Sequence, residues 1–415
     1  MTRRRRPSNP IRVVGLLILV GAALYLNRVV VPTIRDPFSP TPTVTRNPES
    51  YVTDAEQLFN DGKLTQAVAT YQDAIRADPA NPAIHLALAR ALVFSGQYLE
   101  AQQSAENALL LNPDNSMAHA LRGWALYFQG DYPNAQAALK KALELDPNNA
   151  MAHAYYAELL GDMAFAPGGD YGLLEEATAE SRAAMDLAPN TLESHRARGY
   201  ILELTGNPEE AAREYLAALT INDKIADVHL SLGRVYRSLQ NYNDAISEFT
   251  IAYSFNPTDP LPNLYISRVY AAEGDYAKAI QYAEQSVTTA PDDTRLLGNL
   301  GVLYFRNYEY DKAFRELSLV IHGGTAEDGK TIETVELIDD PRIAEYYTTF
   351  GLTLARLGRC GEAIGVFQQV LSVVSPDQLS YTNAQEGLGF CQQEFENGGS
   401  ATATLEPTIE VTPTP

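Results

Sequence analysis

Between residues 48 and 377, apolar side chains return every three or four positions, the spacing of one buried face of an α-helix. The pattern stops and restarts at regular intervals. In segment 116–149, SMAHALRGWALYFQGDYPNAQAALKKALELDPNN, a helical run breaks at Gly130 and Asp131, and Tyr132 and Pro133 open a second run. Pro147 then ends it, because proline cannot continue a helix. The same helix–turn–helix reads through units that start near 48, 82, 116, 150, 192, 226, 260, 294 and 344. Most starts lie 34 residues apart, and MAHA at 117–120 recurs at 151–154. Such a period predicts an array in which each unit buries its apolar face only by stacking on its neighbours.

Two insertions interrupt the array, near 161–173 and near 321–341. Residues 378–396 read as one further helix that caps the last apolar face.

The repeats resemble the tetratricopeptide family, and the resemblance covers nearly all of 48–377. A small residue stands at repeat position 8: Ala55, Ala89, Gly123, Ala157, Gly199, Gly233, Ser267, Gly301 and Gly351. Another stands at position 20: Ala67, Ala101, Ala135, Ala177, Ala211, Ala245, Ala279, Ala313 and Ala363. Antiparallel helices approach closely only where neither carries bulk. Proline near position 32 recurs as Pro79, Pro113, Pro147, Pro189, Pro257 and Pro291, with Asp223 in its place in the fifth unit. The resemblance implies an all-α fold, a right-handed α-solenoid of about nine helix–turn–helix repeats with a C-terminal capping helix.

The ends differ in character. Residues 1–10 are basic, with Arg3 to Arg6 in a row, and residues 11–32 form an apolar stretch. Read through to Val31, with Arg28 snorkelling to the interface, that stretch is expected to be one transmembrane helix that anchors the array. The shorter reading is a signal peptide cleaved near Gly21–Ala23. Either way the arginines remain cytoplasmic and the repeats lie on the far side of a cell membrane crossed once. Residues 33–47 are a Pro/Thr-rich linker, and 397–415 are expected to be a disordered tail. A net charge of -21 over 415 residues argues against a nucleic-acid partner.

Candidate chemistry is sparse. Five of the six histidines (His85, His119, His153, His195 and His229) stand at repeat position 4, which favours packing over a metal site. GTAEDGKT, Gly324–Thr331, matches a phosphate-binding loop, but that motif needs a strand before it and a helix after it. Here the preceding AFRELSLVI continues a repeat helix, and Glu327 and Asp328 would repel an anion. A nucleotide-binding regulator or enzyme that uses this loop is therefore the alternative reading only. No catalytic set, metal site or cofactor is expected. Cys360 and Cys391 fall at neighbouring ends of antiparallel helices, so a disulfide is geometrically plausible, with two inert thiols or a redox role as alternatives.

The surface remains. In the resembled family, positions 2, 5, 9 and 12 of first helices face a concave groove, which here places Arg196, Arg234, Arg237 and Arg268 in it. These arginines either receive carboxylates of a protein or peptide partner, or pair internally with acids such as Glu193, Glu203 and Asp227. Trp124 and Tyr127 fall on the same face, with Phe94 and Phe128 at its edge, as exposed anchors or as packing between repeats. The Lys/Asn carboxylate clamp of chaperone-binding relatives is absent. The expected function is a non-enzymatic, membrane-anchored scaffold or assembly factor.

Overall fold

The computed structural model describes residues 10–25, 46–166, 168–326 and 328–396. Helix α1 spans Pro10–Tyr25. Nine antiparallel pairs then follow among the described residues. They are α2 (Pro48–Asn60) with α3 (Leu64–Ala77), α4 (Pro82–Phe94) with α5 (Tyr98–Leu111), and α6 (Ser116–Phe128) with α7 (Tyr132–Leu145). Next come α8 (Ala150–Phe165) with α9 (Leu173–Leu187), α10 (Leu192–Leu204) with α11 (Pro208–Ile221), and α12 (Ala226–Ser238) with α13 (Tyr242–Phe255). The last are α14 (Leu261–Ala272) with α15 (Tyr276–Thr289), α16 (Thr294–Arg306) with α17 (Tyr310–His322), and α18 (Pro341–Arg356) with α19 (Cys360–Val373). Helix α20 (Leu379–Glu396) packs against α18 and α19.

Local chemistry sets these limits. The side chains of Asn47, Asn81, Asn115 and Asn149 accept from backbone N–H groups of the first turns of α2, α4, α6 and α8, satisfying donors that a helix start leaves free. Pro48 and Pro82 occupy first-turn positions where no N–H is required. Between paired helices the chain turns through a left-handed residue, with Gly62, Gly96, Gly130, Gly206, Gly274 and Gly358 at φ of 74 to 80°. Gln240 and Tyr308 hold the same position at φ 60 and 64° without glycine's freedom.

Close packing holds each pair. The nine position-20 alanines are all 0% exposed. A Cβ on Gly233 would come within 2.5 Å of Phe249, and one on Gly301 within 2.6 Å of Leu317. Position 8 therefore receives the large side chain sixteen residues on, and bulk there would separate the two helices.

The first insertion lengthens α8 to Phe165 before the chain turns into α9. The second forms a two-stranded antiparallel hairpin, β1 (Gly324–Thr325) and β2 (Thr331–Ile332). Asp339 ends that insertion by accepting from the Ser375 N–H at 2.8 Å and the Gln378 amide at 2.7 Å. Cys360 and Cys391 are bonded, with Cα atoms 5.2 Å apart, joining the start of α19 to α20.

Among the described residues no helix is long and apolar enough to cross a membrane. The 16 residues of α1 reach about 24 Å, short of a hydrocarbon core of roughly 30 Å. Residues 26–32 of the expected span lie outside the described residues, as do residues 1–9, most of the 33–47 linker and the 397–415 tail.

Candidate functional site

The first helices of the pairs line one face of the array. In its N-terminal half that face is filled by its own side chains. Phe59, Phe94 and Trp124 meet edge to face at 5.5 and 5.1 Å, and Trp124 stacks on Tyr155 at 4.2 Å. The Arg196 guanidinium lies 4.9 Å over the Trp124 ring and pairs with Glu158 and Asp227. The Trp124 indole N–H donates to Glu158 at 3.3 Å. Burial pushes the Glu158 carboxyl up to about 7, although Arg196 and the indole both favour its charge. Tyr127 and Tyr200 both donate to Asp162, and Phe128 stacks on Tyr98 at 4.9 Å.

Of the two readings left open for these rings, the structure places them in packing between repeats. Trp124 is 0% exposed, and Phe94, Phe128 and Tyr127 are half-buried in the same network. Arg196, 6% exposed, neutralises internal acids and offers no free charge to a partner. The cause is curvature: α4, α6, α8 and α10 pack on one another, which no single repeat reveals.

In the C-terminal half the face opens. A cleft of ≈ 700 Å³ lies among α12, α14, α16 and α18. Two of its arginines are neutralised: Arg234 pairs with both oxygens of Glu203 at 2.9 and 3.0 Å, and Arg306 pairs with Glu345 at 2.7 Å. Arg237, Arg268 and Arg342 make no ion pair among the described residues. Arg237 and Arg268 lie 6.0 and 5.6 Å from the centre of the Tyr265 ring. Burial and the nearby Arg342 charge bring Arg268 down to about 10, and burial lowers Arg237 as well. Of the four arginines expected in the groove, two are paired and two are free. Arg342 was missed, because the second insertion displaces its helix from the 34-residue register; its position two residues after the Asp340 cap was the available signal.

The histidine ladder is structural. His85, His119, His153 and His229 each direct Nε2 at a carbonyl six residues back, at 3.3, 3.0, 3.0 and 3.0 Å. Nδ1 of His153, His195 and His229 faces Glu180, Glu214 and Glu248, glutamates themselves spaced by 34. Among the described residues no group of three His, Cys, Asp or Glu side chains is placed to hold a metal ion.

The nucleotide alternative is also corrected. Gly324 and Thr325 pair with Ile332 and Thr331 as β1 and β2, and the next helix begins only at Pro341. Lys330, the residue that would meet a phosphate, pairs with Asp292 at 3.1 Å and lies 3.6 Å from Asp328. Among the described residues of this loop no helix N-terminus is present to cradle phosphates.

Tetratricopeptide repeat models match residues 58–125, 116–149, 206–260 and 266–321. Comparison with curated proteins gives no match. Among solved structures, human IFIT1, a dimer with m7Gppp-AAAA, is 17% identical with a TM-score of 0.57, covering 84% of this chain and 82% of its own. The APC/C hetero-tetramer Cut9–Hcn1 is 15% identical with a TM-score of 0.55, covering 91% of this chain and 81% of its own. At these identities the likeness concerns the fold alone.

Proposed function

We propose that this tetratricopeptide repeat protein is a membrane-anchored scaffold that binds segments of partner proteins in the open, C-terminal half of its first-helix face. The observation that carries the reading is the cleft itself: Arg237, Arg268 and Arg342, without an ion-pair partner among the described residues, line ≈ 700 Å³ of a protein whose net charge is -21. Charges left without counter-ions in a concave, partly buried place favour an anionic ligand.

Support for the anchor comes from the N-terminus. The described side chains of α1 are exposed, with Leu16 and Ile18 at 63% and 67%, and four arginines precede the helix. A helix that continued from Tyr25 to Val31 would have the length of a span. The arginines then stay cytoplasmic, and the array lies outside the cytoplasm on its linker. Tethering raises the local concentration of the cleft near membrane-bound partners, so modest affinity suffices. The role is binding rather than catalysis, as is general for this repeat family.

The test is affinity capture from crosslinked, detergent-solubilised membranes, wild type against R237E/R268E. Specific partners that vanish with the variant support the reading. Partners that persist place binding elsewhere and reject the cleft.

A further inference from the structure

The charge count in the cleft says more than that its ligand is anionic. With Arg234–Glu203 and Arg306–Glu345 neutral, three guanidinium charges in the cleft remain without an ion-pair partner among the described residues. They come from α12, α14 and α18, which lie far apart in sequence. The two carboxylates in the cleft lining, Glu203 and Glu345, are already engaged by Arg234 and Arg306, and the other polar neighbours are neutral. The Asn299 amide is used on Ser267 at 3.0 Å, and the Tyr346 hydroxyl donates to the Arg295 carbonyl at 3.1 Å. A single carboxylate would leave two positive charges unanswered. A phosphate monoester carries about -1.5 to -2 at pH 7 and three acceptor oxygens, enough to take paired donors from several guanidiniums at once.

We propose that this cleft is a binding site for a phosphate monoester carried by a partner segment, held by Arg237, Arg268 and Arg342. This rests on the scaffold reading and names the group that its cleft receives. Arginine suits the task because its planar fork meets phosphate oxygens bidentately, whereas lysine offers a point charge. The electrostatics also fit: burial first, and the neighbouring guanidinium charges second, disfavour the charged forms of Arg237 and Arg268, and an entering dianion opposes both effects.

The experiment uses the full chain and three fluorescein-labelled peptides that differ only at a central residue, Gly-Gly-Ser-X-Ser-Gly-Gly with X as phosphoserine, aspartate or serine. Fluorescence anisotropy reads binding at fixed ionic strength. The phosphoserine peptide binds at least about tenfold more tightly than the aspartate peptide, and the serine peptide does not bind. R237Q, R268Q and R342Q each weaken it by about tenfold or more, while R122Q, on distant α6, has no effect. Thermal melts guard against misfolding: removing one of three unpaired like charges leaves each Gln variant at least as stable as wild type. Equal binding of the aspartate peptide, binding that survives all three substitutions, or no phosphoserine binding up to millimolar peptide overturns the proposal. If the phosphopeptide fails while captured partners are still lost with R237E/R268E, the scaffold reading stands and this inference alone falls.

Discussion

Arg90 on α4 donates through Nε to Glu193 on α10 at 2.6 Å, joining residues 103 apart in sequence. Glu193 is 2% exposed, and Glu193's charge holds the Arg90 guanidinium in its charged form against the effect of burial. The pair ties α4 to α10 across the N-terminal half of the first-helix face.

Removing one partner therefore exposes the cost of a buried charge. Arg90→Met strands Glu193 and destabilises the array by roughly 3–5 kcal/mol, whereas R90M/E193M recovers most of that loss. Urea denaturation followed by circular dichroism measures both. Equal midpoints for R90M and the double variant would show that the pair is not the tie described.

Glu158 sets a pH dependence. Its carboxyl is raised to about 7 in the fold, against an ordinary value of 4.5. The folded state thus keeps a proton that the unfolded chain has released. The associated stability is full below pH 4.5 and is lost as pH rises through about 7. Glu158→Gln should flatten the decline between these limits in denaturation profiles taken across that range. An unchanged slope would place Glu158 in an ordinary carboxylate environment.

Position 8 and the inter-helix turn respond in opposite directions. Gly233→Ala drives a methyl to 2.5 Å from Phe249 and costs about 1–3 kcal/mol, as overpacking does. Tyr308→Gly relieves a left-handed φ of 64° at a side chain 63% exposed, and stabilises by about 1 kcal/mol. Thermal melts of the two variants test the repeat geometry, and shifts of the same sign would contradict it.

The Cys360–Cys391 bond closes a span of 31 residues and fastens the terminal helix. Unreduced, denatured protein should contain no free thiol in a colorimetric count. Cys391→Ser should cost about 2–4 kcal/mol and speed hydrogen exchange in α20 before the rest of the array. Two free thiols in wild type would reject the bond.

Much of this fold was legible because each repeat carries its own signals. Gly130 with Asp131, and Pro147 with its counterparts, mark turns whose chemistry is local, and Ala135 and Gly123 mark contacts within one pair. The candidate site was less legible. Trp124 looks like an exposed groove anchor until Tyr155 and Arg196 from later units cover it. Arg196 and Arg234 differ from Arg237 and Arg268 only in having acids opposite them, and those acids stand one or more units away. Curvature between units, which decides what is covered, is a sum of small rotations that no single unit records.

The most direct test of the central claim places a photoreactive amino acid at Ser238, exposed at the edge of the cleft, or at Thr250, exposed on α13. Partner proteins should crosslink from Ser238, lose that crosslink in R237E/R268E, and fail to crosslink from Thr250. Crosslinks from Thr250 that ignore the arginines, with none from Ser238, would contradict the cleft as the working surface.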